Sequence, residues 1–279
     1  MPQGARPRSR RGGMLPTFTL DSRTLLTWSE GAPLPCDKRH VLVACFPKSG
    51  STWLSEILCR LPGFVRADLV PFFDRREQEL AFERLLVAHH FDYVAQHHCR
   101  YSQATERCLR LFSIRPVVLV RDIFDCMVSL KDHIDRGITD PAARVGPLAY
   151  VPEAYYDWTD EVRLDFIVDM SAPWYFNFAV SWLDCEDAVW VRYKELLADP
   201  RATVARIADA LALDADGAAI DAALAAAAAE PTRRNVARTG RGVALSARQR
   251  RHIEHMAGYY PGRDFSAIGL GPERARGAA

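Results

Sequence analysis

The chain has 279 residues and almost balanced charge, with 36 Lys+Arg against 35 Asp+Glu and 49% hydrophobic residues. That composition excludes a long disordered chain and argues against a general nucleic-acid or membrane-surface binder, whose domains carry a strong basic excess. Any anion site must therefore be built locally, and no run of about 18 apolar residues marks a membrane span.

Seven cysteines (Cys36, Cys45, Cys59, Cys99, Cys108, Cys126 and Cys185) are scattered without a CxxC pair. Such a set reads as reduced thiols in a cytoplasmic protein. Residues 1–15 are basic and no apolar run of signal-peptide length follows them, which predicts a flexible tail. Residues 273–279 read as a C-terminal tail.

The elements follow in chain order. HVLVACF at 40–46 is a β-branched apolar run that predicts a strand, and Leu54, Ile57, Leu58 and Leu61 keep helical spacing. A helix is expected over 74–88 and a strand over 93–97. A helix over 103–113 leads into PVVLV at 116–120, a continuous run typical of a strand buried on both faces. A helix follows over 123–134, then a loop over 136–160 rich in Gly, Pro, Asp and Tyr. Trp174, Phe178 and Trp182 mark another helix, and 188–192 a fourth strand. Fifteen of the 28 residues from Ala202 to Ala229 are alanine, which predicts one or two helices, and a last helix lies near 246–257. Strands alternating with helices make this a single α/β domain with a central parallel sheet flanked by helices, opening on a P-loop-like strand–loop–helix. Ligands of such sheets bind beyond the carboxyl ends of the strands.

Pro47-Lys48-Ser49-Gly50-Ser51-Thr52-Trp53 lies where the first of these strands meets its helix. Unpaired N–H groups at a helix N-terminus suit a phosphate, Gly50 permits close approach, and Ser51 and Thr52 add hydroxyls. Lys48 is one of four lysines in an arginine-rich chain. An ordinary Ser-capped helix is the plain alternative. A Walker A loop requires Lys directly after the last Gly, whereas Lys48 precedes Gly50, which disfavours an ATP or GTP loop.

FPKSGSTW instead resembles the phosphosulfate-binding loop of the sulfotransferases that depend on 3′-phosphoadenosine 5′-phosphosulfate (PAPS). The family also carries an Arg after a strand and a Ser eight residues later. Here PVVLV is followed by Arg121 and, at that interval, Ser129. Arg offers a planar fork to a phosphate and Ser a short donor, and an ion pair of Arg121 with Asp122 or Asp125 is the bland alternative. Val191–Leu196 resembles a family strand whose Tyr, here Tyr193, approaches adenine, and 264–270 resembles a common C-terminal ending. The resemblance spans roughly 40–270 and implies a sulfotransferase domain over 16–272.

The resemblance implies that Lys48 stabilises the leaving 5′-phosphate, while Ser49, Gly50, Ser51 and Thr52 complete the loop. It further implies that Trp53 stacks on adenine and that Arg121 and Ser129 hold the 3′-phosphate. A family loop over that phosphate matches Arg238-Thr239-Gly240 with Arg241, but the usual Lys is missing and Val243 stands where a Trp is expected. A solvated basic loop is the alternative. In the family a His at the end of a middle strand is the base. Gln96-His97-His98-Cys99 occupies that place, and His98 aligns best. Adjacent strand residues face opposite ways, so one His faces the site, with His97 the alternative and His133 next. His89, His90, His97 and His98 form no known metal spacing, so no metal is expected.

The resemblance thus implies sulfuryl transfer from PAPS to a hydroxyl, or an amine, of a small-molecule, lipid or sugar (glycan) acceptor, without a metal or nucleic acid. The oligomeric state stays open. A P-loop kinase and a non-catalytic adenine-nucleotide-binding module are the rival readings. Phe72, Phe73, Tyr150, Tyr155, Tyr156, Trp158, Trp174 and Tyr175 are expected around an apolar or sugar-stacking acceptor, or else in the core.

Overall fold

A computed structural model describes residues 18–19, 27–28, 33–70, 79–144, 151–229 and 239–271. The two tails, Arg238, Phe72, Phe73 and Tyr150 lie outside the described residues. Five parallel strands make the main sheet: β3 (His40–Cys45), β4 (Val65–Ala67), β5 (Tyr93–His97), β6 (Val117–Val120) and β7 (Val189–Arg192). Their order is β4-β5-β3-β6-β7. Phe18–Thr19 (β1) and Thr27–Trp28 (β2) pair separately and antiparallel.

The three inner strands are short, branched and apolar because helices cover both sheet faces. Every residue of β3 and β6 is buried. One face packs Val41, Val43 and Cys45 against Leu54, Ile57 and Leu58 of α1 (Ser51–Cys59). The alanine-rich stretch joins this face as two helices, α7 (Pro200–Ala210) and α8 (Gly217–Ala229). Small side chains let those helices lie close. The other face packs Leu42, Ala44 and Phe46 against α4 (Ile123–Thr139) and α5 (Asp160–Leu183). The remaining helices are α2 (Phe82–Ala88), α3 (Gln103–Leu111), α6 (Tyr193–Ala198) and α9 (Ala247–Ala257).

Two expectations are corrected. The 136–160 stretch is not plain loop: α4 runs on to Thr139, and 3-10 turns form at Pro141–Ala143 and Glu153–Asp157. The second turn is pinned because Tyr155 donates to Asp135 at 2.8 Å, and Lys131 bridges Asp135 and Asp160. The sheet also has a fifth strand, β4, whose Val-Arg-Ala sequence lacks an apolar pattern because it sits at the edge.

The register aligns the strand ends. Ala44 pairs with His97, Cys45 with Leu119, and Val120 with Arg192. Lys48, His98, Arg121 and Tyr193 therefore all leave the same carboxyl edge within three residues of a paired position.

Candidate active site

The loop between β3 and α1 is tightly wound. Lys48 and Gly50 both have positive φ, 66° and 91°. Gly50 is required twice, since a Cβ there would also lie 2.4 Å from Tyr193 Cδ2. Ser49 is fully buried and donates its hydroxyl to the Phe46 carbonyl at 2.7 Å, which closes the turn. Tyr175, buried in α5, donates to the Pro47 carbonyl at 2.9 Å and braces the loop from below. Among the described residues no side chain caps α1, and no acidic residue sits in its first turn. Its leading N–H groups thus keep their donor capacity and partial positive charge. Ser51 is buried, Thr52 is exposed and Trp53 is half-buried against the α1 side of the core.

Lys48 and Arg121 stand beside this helix start. Lys48 is pushed down to about 8, chiefly by burial, with the charges of Arg136 and Arg121 adding to it. A cation that is crowded by burial and like charge gains from an arriving anion. Arg121 is buried and donates to the Lys48 carbonyl at 3.1 Å. Its guanidinium lies 4.6 Å from the centre of the Tyr193 ring, so Tyr193 bridges Arg121 and Gly50. The bland reading of Arg121 also holds in part, since its guanidinium lies 3.5 Å from Asp125. Ser129 is buried two turns into α4.

Asp125, which the sequence reading left as an ion-pair partner, docks a distant segment of the chain. Its carboxylate accepts from the Gly240 N–H at 3.0 Å and the Gly242 N–H at 2.8 Å, docking the 239–244 segment on α4. The signal available in sequence was its four-residue spacing from Arg121. Thr239 and Gly240 are exposed, and Arg241 pairs with Asp132. Residues 239–244 are thus docked on α4 close to Arg121.

The two histidines part company. His97 ends β5 and is buried on the α5 side, in step with Tyr93 and Ala95. His98 stands just past the strand with Nδ1 2.8 Å from the Cys45 carbonyl. A ring nitrogen facing a carbonyl carries the proton, which leaves the lone pair on Nε2. Burial pushes the imidazole down to about 4, so it is neutral at pH 7. The Cys45 thiol beside it is pushed up to about 12 by burial and is no nucleophile. His133 is half-buried on α4.

The expected acceptor aromatics are sorted differently. Tyr155 and Tyr175 are fully buried with their hydroxyls committed to Asp135 and Pro47. Trp174 is buried in the same core, whereas Tyr156 and Trp158 are half-buried at its margin.

A model of the sulfotransferase domain matches residues 38–240, from the start of β3 to the docked Gly240. The chain belongs to the sulfotransferase domain family. Its activity is sulfuryl transfer. Mouse sulfotransferase SULT7A1, solved as a complex with PAP, shares the fold with a TM-score of 0.60 at 14% identity, over 85% of this sulfotransferase and 88% of that chain. A retinol dehydratase solved with androsterone and inactive cofactor PAP aligns with a TM-score of 0.48 at 14% identity, over 79% and 80% of the two chains. No curated protein matches this sulfotransferase in sequence. No helix among the described residues is long and apolar enough to cross a membrane.

Proposed function

We propose that this sulfotransferase takes its sulfuryl group from PAPS at the start of α1 and delivers it to a hydroxyl acceptor activated by His98. The observation that carries the reading is an uncapped α1 N-terminus, free of acidic side chains, beside Lys48 and Arg121. That donor set fits a phosphosulfate, which offers only acceptor oxygens.

PAPS supplies an activated sulfuryl group whose leaving group is the 5′-phosphate. The α1 N–H groups with Ser51 and Thr52 hold that phosphate, and the Lys48 ammonium neutralises charge as it builds on the leaving oxygen. Arg121, fixed by the Lys48 carbonyl and the Tyr193 ring, reads the 3′-phosphate together with Ser129. Arg241 and the Thr239–Gly240 turn close over it, held by Asp125 and Asp132. Tyr193 and Trp53 flank the adenine.

His98 Nε2 accepts the acceptor's proton, and its Nδ1–H bond to the Cys45 carbonyl keeps that lone pair outward. In-line positioning and electrostatics then supply most of the rate, as in loose phosphoryl transfer. The scattered free thiols support a reducing, cytoplasmic setting. The acceptor is a small molecule bearing a hydroxyl, with lipid, glycan and amine compounds as further arms of the same assay.

The test is transfer from radiolabelled PAPS to a panel of alcohols, phenols, sugars and amines, with His98→Ala in parallel. His98→Ala should lose roughly 10²–10⁴ in rate with an alcohol and less with an acidic phenol. PAP affinity should hold. An active His98→Ala beside a dead His97→Ala would move the base to the other face of β5.

A further inference from the structure

The fold splits the histidines that are close in sequence. His97 and His98 go to the carboxyl edge of the sheet, whereas His89, the C-cap of α2, goes to the opposite end where β3 begins. There Cys36, His40 and His89 bring one potential ligand atom each within 4.8 Å of the others. Five residue steps of β3, about 17 Å at roughly 3.3 Å each, separate His40 from the end of the strand that carries the phosphate loop.

Cys36 Sγ lies 3.6 Å from His40 Nε2. A tetrahedral ion with bonds of about 2.3 Å to sulfur and 2.0–2.1 Å to nitrogen sets those atoms about 3.6 Å apart. The remaining ring nitrogens face main-chain carbonyls: His40 Nδ1 is 3.1 Å from the Phe112 oxygen and His89 Nε2 is 3.2 Å from the Pro35 oxygen. This is the outer support that metal-bound imidazoles use: with Nδ1 protonated toward Phe112, His40 Nε2 turns its lone pair toward Cys36, although the His89 carbonyl also lies 3.4 Å from it, and the His89 lone pair is on Nδ1. His89 is only 8% exposed, yet its Nδ1 has no hydrogen-bond partner among the described residues. Buried ring nitrogens are normally paired, so a bare lone pair beside a thiol and a second imidazole points to an absent ligand. The rings are held in place, His40 stacked on Tyr93 at 4.7 Å and His89 edge-on to Phe112 at 5.3 Å.

We propose that Cys36, His40 and His89 form a zinc site that ties the segment before β3 to the end of α2. A thiolate with two imidazoles is the donor set of a borderline-soft divalent ion. The Lys38 N–H donates to Cys36 Sγ at 3.2 Å and favours the thiolate. The thiol proton, which otherwise points to the His89 carbonyl at 3.3 Å, is released to solvent as the metal–sulfur bond forms. Cys36 is exposed, so water completes the coordination from that side.

Cobalt(II) titration of the chelator-stripped full chain tests the site. One Co²⁺ per chain should bind with intense tetrahedral absorption and a thiolate-to-cobalt charge-transfer band, both displaced by Zn²⁺. Cys36→Ser, at an exposed position, should keep the fold, lose that band and bind at least tenfold more weakly. His89→Gln should weaken binding similarly, and Cys108→Ser should behave as wild type. Zn²⁺ should raise the melting temperature of the wild type and not of Cys36→Ser, with PAP affinity the same in both. A wild type without the charge-transfer band, or a band that survives Cys36→Ser, overturns the proposal.

Discussion

Two helices start side by side at the carboxyl edge of the sheet, α1 after β3 and α4 after β6, and they are built in opposite ways. At α4, Asp122 caps the helix by accepting from the Asp125 N–H, and Asp125 adds a second carboxylate in the first turn. At α1 the cap position is a left-handed glycine with no side chain, and the first turn holds no acid. The dipoles of the two helices are alike in kind. One is quenched by the chain's own carboxylates, and the other is not, which suits it to the proposed anion. The Asp125 carboxylate is in turn put to structural use, holding Gly240 and Gly242 beside Arg121. An anion site is thus specified as much by where carboxylates are withheld as by where cations are placed.

The largest effect should come from Lys48, the cation at the uncapped end. Lys48→Met should lower turnover by roughly a hundredfold or more, because preorganised charge at a leaving group is worth that much. PAP binding should suffer less. Steady-state turnover beside calorimetry of PAP separates the two, and near-native turnover would break the contrast between the helices.

Making α1 resemble α4 should cost somewhat less. Thr52 is exposed, so Thr52→Glu places a carboxylate in the first turn without disturbing the core. The ligand-free protein should gain about 0.3–1 kcal/mol from the dipole. PAP should bind ten- to a hundredfold more weakly, since like charges near a protein surface repel by on the order of 1–3 kcal/mol. Thermal melts with and without PAP read both signs at once. A variant destabilised when free, or binding as well as wild type, would show that the α1 terminus does not hold the anion.

The converse change is Asp125→Ala, which leaves the buried Gly242 N–H without its acceptor. That should cost about 1–3 kcal/mol of stability by denaturant titration and loosen the docked 239–244 segment. An unchanged midpoint would mean that the segment is not docked through Asp125.

The smallest effect is a displaced pH profile. With His98 pushed down to about 4, the base stays unprotonated well below the usual imidazole range near ~6.5. The acid limb of kcat/KM should therefore fall near 4, not near 6.5. Lys48, pushed down to about 8, should give an alkaline limb near that value, and Lys48→Arg should remove it. An acid limb near 6.5 that vanishes in His98→Ala would show an imidazole that burial does not perturb.

The same contrast separates what was legible in the sequence from what was not. β3, β5, β6 and β7 read directly because burial on one or both faces leaves branched or aromatic apolar runs. β4 did not, since an exposed Val-Arg-Ala edge has no such pattern. Nor did α6, which follows β7 without any intervening turn residue. The loop proposed for the phosphate could be picked out because its residues are contiguous. Asp125 was not, because its partners lie 115 and 117 residues away. The sequence left Tyr175 open between acceptor pocket and core, and helical spacing could not say that its hydroxyl reaches Pro47 across 128 residues. The Cys36–His40–His89 group escaped notice for the same reason, the thiol and the His89 carbonyl being 53 residues apart.

The central claim is that the α1 edge with Arg121 is built for a doubly phosphorylated nucleotide. Calorimetric titration of PAP against 5′-AMP tests it most directly. Losing the 3′-phosphate removes the charge-assisted hydrogen bonds it would make to Arg121 and Ser129, worth on the order of 2–4 kcal/mol, or roughly 30- to 1,000-fold in affinity. PAP binding tighter by that margin is the result this account predicts. Equal affinities for the two nucleotides would contradict it.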